Sequence, residues 1–96
     1  MTKADIVNEI SKNTGINKDD VLKSVEAFMD AVKDSLANDE SVFLRGFGSF
    51  IVKQRAEKIA RHIKKEEKMV IPAHSIPAFK PSKEFVSKVK TSVQPK

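Results

Sequence analysis

The chain has 96 residues, a net charge of +5 and no cysteine. That length allows one domain, 1–96, and the lack of cysteine excludes disulfides and thiolate metal sites. No apolar run approaches the ~20 residues of a membrane span, and the opening MTKADIVNEI lacks the apolar core of a signal peptide. A soluble, cytoplasmic protein with no membrane partner is expected.

The charge is unevenly divided. Residues 1–41 carry five Lys against nine Asp/Glu, a net of −4, whereas residues 42–96 carry thirteen Lys/Arg against four Asp/Glu, a net of +9. Such a split suggests an acidic support and a cationic binding part, with a polyanion as partner.

In chain order, Thr2 and Asp5 fit a capping pattern that opens a short helix with Ile6, Val7 and Ile10 on one face, and Gly15 stops it. Asn17 then caps a second helix, in which Val21, Leu22, Val25, Phe28, Met29, Val32 and Leu36 form a wide apolar stripe fading at Asn38-Asp39. Together these make a helical base, 1–41.

Residues 42–81 read as a sheet with an arm at about 55–75. Val42–Arg45 is a strand and Gly46-Phe47-Gly48 turns the chain. Ser49–Arg55 is the next strand, with Phe50 and Val52 on one face and Lys53 and Arg55 on the other. The arm continues outward to about Lys64–Glu67 and returns through Met69, Val70 and Ile71. Seven basic residues lie between positions 53 and 68: Lys53, Arg55, Lys58, Arg61, Lys64, Lys65 and Lys68. So small a chain has no core in which to bury such a hairpin, so it should project into water and grip something negatively charged. Pro72 belongs at an edge or bulge, since proline cannot donate to a ladder. Ile76–Phe79 is extended, 82–90 is a last helix carrying Phe85, Val86 and Val89, and 91–96 is a frayed tail. The class is α+β. A monomer this small with a projecting arm would be marginal, which points to dimerisation.

No catalytic or metal constellation emerges. His62 and His74 both fall in the arm region, where they fit polar or nucleic-acid contacts; Glu66 and Glu67 would point to opposite strand faces; Gly46-x-Gly48 lacks the remainder of a phosphate-loop fingerprint. No enzyme activity, cofactor or small-molecule substrate is expected.

Three stretches, Arg45-Gly46-Phe47-Gly48-Ser49-Phe50, Arg55-Ala56-Glu57 and Ile76-Pro77-Ala78-Phe79-Lys80-Pro81-Ser82-Lys83, resemble the HU/IHF family of bacterial histone-like proteins, over about residues 1–90. The resemblance implies an intertwined dimer, homodimeric or heterodimeric, with two N-terminal helices, a three-stranded antiparallel sheet with a projecting β-hairpin arm, and a C-terminal helix. It implies an architectural nucleoid protein whose two arms bend or compact double-stranded DNA from the minor groove. Lys53, Arg55, Lys58 and Arg61 would line arm and saddle, joined by Arg45, His62, Lys64, Lys65 and Lys68. Lys3, Lys80 and Lys83 would hold flanking phosphates. Phe47, Phe50 and Phe79, with Phe28 of the second helix, would form dimer core.

The chain departs from the family at the arm tip, where Ala60-Arg61-His62-Ile63 stands in place of Gly-Arg-Asn-Pro. Ile63 replaces the wedge proline, and isoleucine is among the side chains that insert between base steps. Phe43 occupies the place of the acidic partner that the integration-host-factor β subunit gives its arginine, which favours low sequence specificity. The alternative is an RNA-binding or ribosome-associated basic protein, although an arm shaped for B-DNA suits the wide, shallow minor groove of A-form RNA less well.

Overall fold

The computed structural model describes residues 1–61 and 68–94, with backbone alone for 58–61 and 68–71. The chain divides into two compact units, Met1–Ser35 and Leu36–Lys96.

The first unit holds helix α1, Lys3–Thr14, and most of helix α2, Lys18–Ala37. The capping box expected at Thr2 is present: Asp5 N–H donates to Thr2 Oγ1 at 3.3 Å and Thr2 N–H to Asp5 Oδ2 at 2.9 Å. The Thr2 backbone N–H, and to a lesser degree the Thr2 side chain, favours the charged form and holds the Asp5 carboxyl below its ordinary range. Gly15 ends α1 with φ 78°, its N–H donating to Ser11 O at 2.9 Å. Asp20 N–H donates to Asn17 Oδ1 at 2.9 Å, which confirms the second cap. Val7 and Val21 are the buried hydrophobic side chains of the described residues, at 6% and 3% exposure, while Phe28 on α2 remains 46% exposed.

The second unit is a three-stranded antiparallel sheet in the order β1-β2-β5, formed by Val42–Leu44, Gly48–Arg55 and His74–Pro81. Arg45 lies in the turn rather than in β1. Phe47 N–H donates to Leu44 O at 2.9 Å, and Gly46 takes φ 81° at the third turn position, a geometry that glycine adopts without steric cost. The β2–β5 ladder runs from Gly48↔Pro81 to Arg55↔His74. Pro77 and Pro81 are tolerated because β5 is an edge strand.

The arm is not one continuous ladder. β3, Lys58–Arg61, pairs with β4, Lys68–Ile71, as a separate two-stranded sheet. The interruption falls at Ala56-Glu57 on one side and Pro72-Ala73 on the other. Pro72 has no N–H to contribute, and its carbonyl instead accepts from His74 Nδ1 at 2.9 Å. The last helix, α3, spans Lys83–Ser92 and so runs two residues beyond the expected end at 90. The Thr91 hydroxyl donates to Ser87 O at 3.0 Å and Val93 N–H to Val89 O at 2.9 Å, bonds that secure a turn expected to fray.

Inward-facing rings knit this unit together. Phe79 lies 5.1 Å from Phe47, 4.9 Å from Phe50 and 6.1 Å from Phe85, and Phe47 lies 5.2 Å from Phe85, all between centroids. Each such pair adds about 0.5–1.5 kcal/mol beyond area burial. Yet Phe47 is 45% and Phe79 38% exposed, so one chain leaves the cluster half open.

Gly48 fixes how close β2 and β5 come. A Cβ there would lie 2.6 Å from both Lys80 O and Phe79 Cζ, and backbone cannot yield as a side-chain tip can. Gly48→Ala should destabilise the fold by about 1–3 kcal/mol or more through overpacking, read as a lowered urea midpoint with unchanged slope.

Candidate nucleic-acid interface

Strand alternation sorts the sheet into two chemistries. Gly48, Phe50 and Val52 of β2 share a face with Phe79 and Pro81 of β5. Ser49, Ile51, Lys53 and Arg55 share the opposite face with His74, Ile76, Ala78 and Lys80. Lys53 and Arg55 are exposed there, as expected, and Arg55 stands opposite His74 at the arm end of the ladder.

At the other end of the same sheet three segments converge. The turn after β1 brings Arg45, the end of β5 brings Lys80, and the start of α3 brings Lys83. Ser82 joins them: its N–H donates to Phe47 O at 2.9 Å, and its hydroxyl caps α3 by accepting from Phe85 N–H at 3.1 Å. These ties hold the helix start against the turn. Arg45, Lys80 and Lys83 line an open depression of about 400 Å³ together with Phe43, Ser49 and Ser82. Its rim is not wholly cationic, since Glu84 Oε2 would lie 3.1 Å from a Cβ at Gly46.

The remaining sequence-derived positions fall elsewhere. Lys3 lies in the first unit, where its Nζ pairs with Glu26 Oε1 at 2.9 Å. Both side chains are about half exposed, and such a pair is worth at most about 1 kcal/mol. The backbone places Lys58 and Arg61 on β3 and Lys68 on β4, with Arg61 opposite Lys68. His62, Ile63, Lys64 and Lys65 lie outside the described residues. Among the described residues no helix is long and apolar enough to cross a membrane and no cluster could hold a metal ion.

The sequence places His74 in the arm region and Phe85 on the last helix, but it gives neither of them, nor Ser49 or Ser82, a position in this site. Ser49 and His74 declare themselves only through the β2–β5 register. Ser82 before Lys83-Glu84 carried a readable cap signal, and Phe85 a readable helical spacing.

A two-helix unit, a three-stranded antiparallel sheet with one cationic face, and a β-hairpin arm define an arm-bearing α+β protein of the histone-like kind. The comparisons agree. Residues 1–90 match the family described as "Bacterial DNA-binding protein", and the chain belongs to that family, that of HU and integration host factor. It is 42% identical over 90 residues to DNA-binding protein HU of Thermus thermophilus, covering 94% of this chain and 93% of that protein. It is 38% identical over 90 residues to HU of Geobacillus stearothermophilus, covering 94% of this chain and all of that protein. In structure it resembles the Anabaena HU–DNA cocrystal, with TM-score 0.89 and 31% identity, over 94% of this chain and 98% of that one.

Proposed function

We propose that this chain is an architectural, nucleoid-associated protein of the cytoplasm, working as one domain within a dimer that binds double-stranded DNA and bends or compacts it. The observation that carries the reading is the division of one sheet into an aromatic face and a cationic face. The aromatic face is left half open by a single chain, which calls for a second copy; a related chain could serve in a heterodimer. The cationic face, continued toward the arm, calls for a polyanion. The similarity to a protein crystallised with DNA makes that polyanion duplex DNA, whereas the RNA-binding alternative has no comparison in its favour. Two arms from a dimer would follow the minor groove. The role involves no catalytic step.

The dimer would be held by Phe47, Phe50 and Phe79, with Phe28 of α2 adding its exposed ring. A folded chain should sediment as a dimer at micromolar concentration; a folded monomer there would contradict this reading.

Phosphate contacts would supply most of the affinity, through Arg45, Lys53, Arg55, Lys80 and Lys83 on the sheet unit, Lys3 on the first unit, and Lys58, Arg61, His62, Lys64, Lys65 and Lys68 along the arm. If six to ten phosphates are neutralised, log K should fall against log salt with a slope of roughly −5 to −9. A slope near −1, measured by fluorescence anisotropy on a short duplex, would remove the electrostatic saddle.

Ile63, proposed from sequence alone, would be the wedge that unstacks a base step. Energy transfer across a labelled duplex should then report a smaller bend for Ile63→Ala, with much of the salt-dependent affinity retained, because phosphate contacts are separate from the wedge. An unchanged bend would reduce the arm to an electrostatic clamp.

A further inference from the structure

The cationic face of the sheet carries a large apolar group that the core of the single chain does not absorb. Phe43 is 75% exposed, against 45% for Phe47 and 38% for Phe79 on the aromatic face. The register sets it in a row across all three strands: Phe43 opposite Ser49, and Ser49 opposite Lys80. It borders the depression lined by Arg45, Lys80 and Lys83. A lone exposed phenylalanine is ordinary. One placed beside three cations, on a face otherwise suited to a polyanion, is not.

We propose that Phe43 is a DNA contact of this face, its ring lying against the deoxyribose edge of the minor groove beside phosphates held by Arg45, Lys80 and Lys83. The proposal rests on the DNA-binding reading given above. The three cations select an anionic partner by charge complementarity. The ring adds a second demand, an apolar surface within a side chain's reach of those charges. A duplex meets both demands, because sugar C–H groups alternate with phosphates along the groove wall. Ser49, small and next in the row, leaves the wall room to approach the ring and Lys80 together. The same contact disfavours RNA, whose 2′-hydroxyls line the A-form minor groove.

The test uses the full chain, a short DNA duplex and an RNA duplex of the same sequence, each titrated at several salt concentrations. Phe43→Ala should weaken DNA binding about 5- to 30-fold, equivalent to ~1–2 kcal/mol at 1.4 kcal/mol per tenfold. Its salt slope should stay unchanged, because a ring releases no counterions, whereas Arg45→Ala should lower the slope by about one per chain. RNA affinity should change less than about twofold with F43A, given the hydroxyl-lined groove. The chain has neither Trp nor Tyr, so F43W introduces a single reporter whose emission DNA should quench by contact. Unchanged DNA affinity in F43A overturns the proposal. So does an equal loss on DNA and RNA, or an F43W emission that responds to phosphatidylserine vesicles but not to DNA. If F43A instead weakens dimerisation in sedimentation while saturated dimer binds DNA as before, Phe43 belongs to the protein interface and the proposal falls. Failure of the DNA-binding reading would show separately, as wild-type protein that binds neither duplex.

Discussion

The close approach of β2 and β5 at Gly48 is the constraint on which the rest of the second unit depends. With no room for a methyl group against Lys80 O and Phe79, the strand can enter the sheet there only as glycine. That contact lets Phe79 reach Phe47 and Phe50 together. It also leaves the Phe47 carbonyl in place for Ser82 N–H, which docks the start of α3. The turn, the aromatic cluster and the last helix are therefore one cooperative arrangement. The cluster is also unfinished: rings 38–45% exposed bury only part of the apolar area that drives folding. A second copy seated on this face would cover the rings that one chain leaves exposed.

The same pairing separates the two chemistries. Because side chains alternate along a strand, a register slip of one residue would turn Lys53 and Arg55 toward the rings and Phe50 and Val52 toward water. The ladder from Gly48↔Pro81 to Arg55↔His74 prevents this over its whole length. Aromatic packing on one face thus maintains the cationic order of the other, so a mutation among the rings would weaken binding without touching a binding residue.

Much of this was legible in the sequence. Thr2, Asn17 and Gly15 announce their caps because capping is local chemistry, set within three or four residues. Gly46-Phe47-Gly48 announces a turn for the same reason. Four features were less accessible. Arg45 reads as strand because its neighbours are apolar, yet the turn geometry takes it. The arm reads as continuous, whereas Ala56-Glu57 and Pro72-Ala73 divide the ladder. Thr91 reads as tail, although its hydroxyl can bond to the preceding turn. Phe43 reads as one more apolar strand residue until its pairing with Ser49, and that of Ser49 with Lys80, sets it among cations. Each depends on pairing over distance or on a tertiary choice that no short window contains.

The makeup of the cationic face bears on how this protein would choose where to bind. Base readout needs side chains held at a fixed angle to a groove, commonly by a carboxylate or a bidentate bond. Here the exposed cations stand at strand spacing or on a turn, and the side chain two residues before Arg45 is an apolar ring. Lysine, with its compact charge and four-carbon stem, follows phosphates more readily than it discriminates bases. Such a face would register the path of the backbone and the width of the groove. Preference would then arise from how cheaply a given stretch of DNA bends to meet it, a property of flexible base steps rather than of contacted bases. Low specificity would then follow from which side chains the sheet presents, lysines and an apolar ring in place of a carboxylate-held arginine.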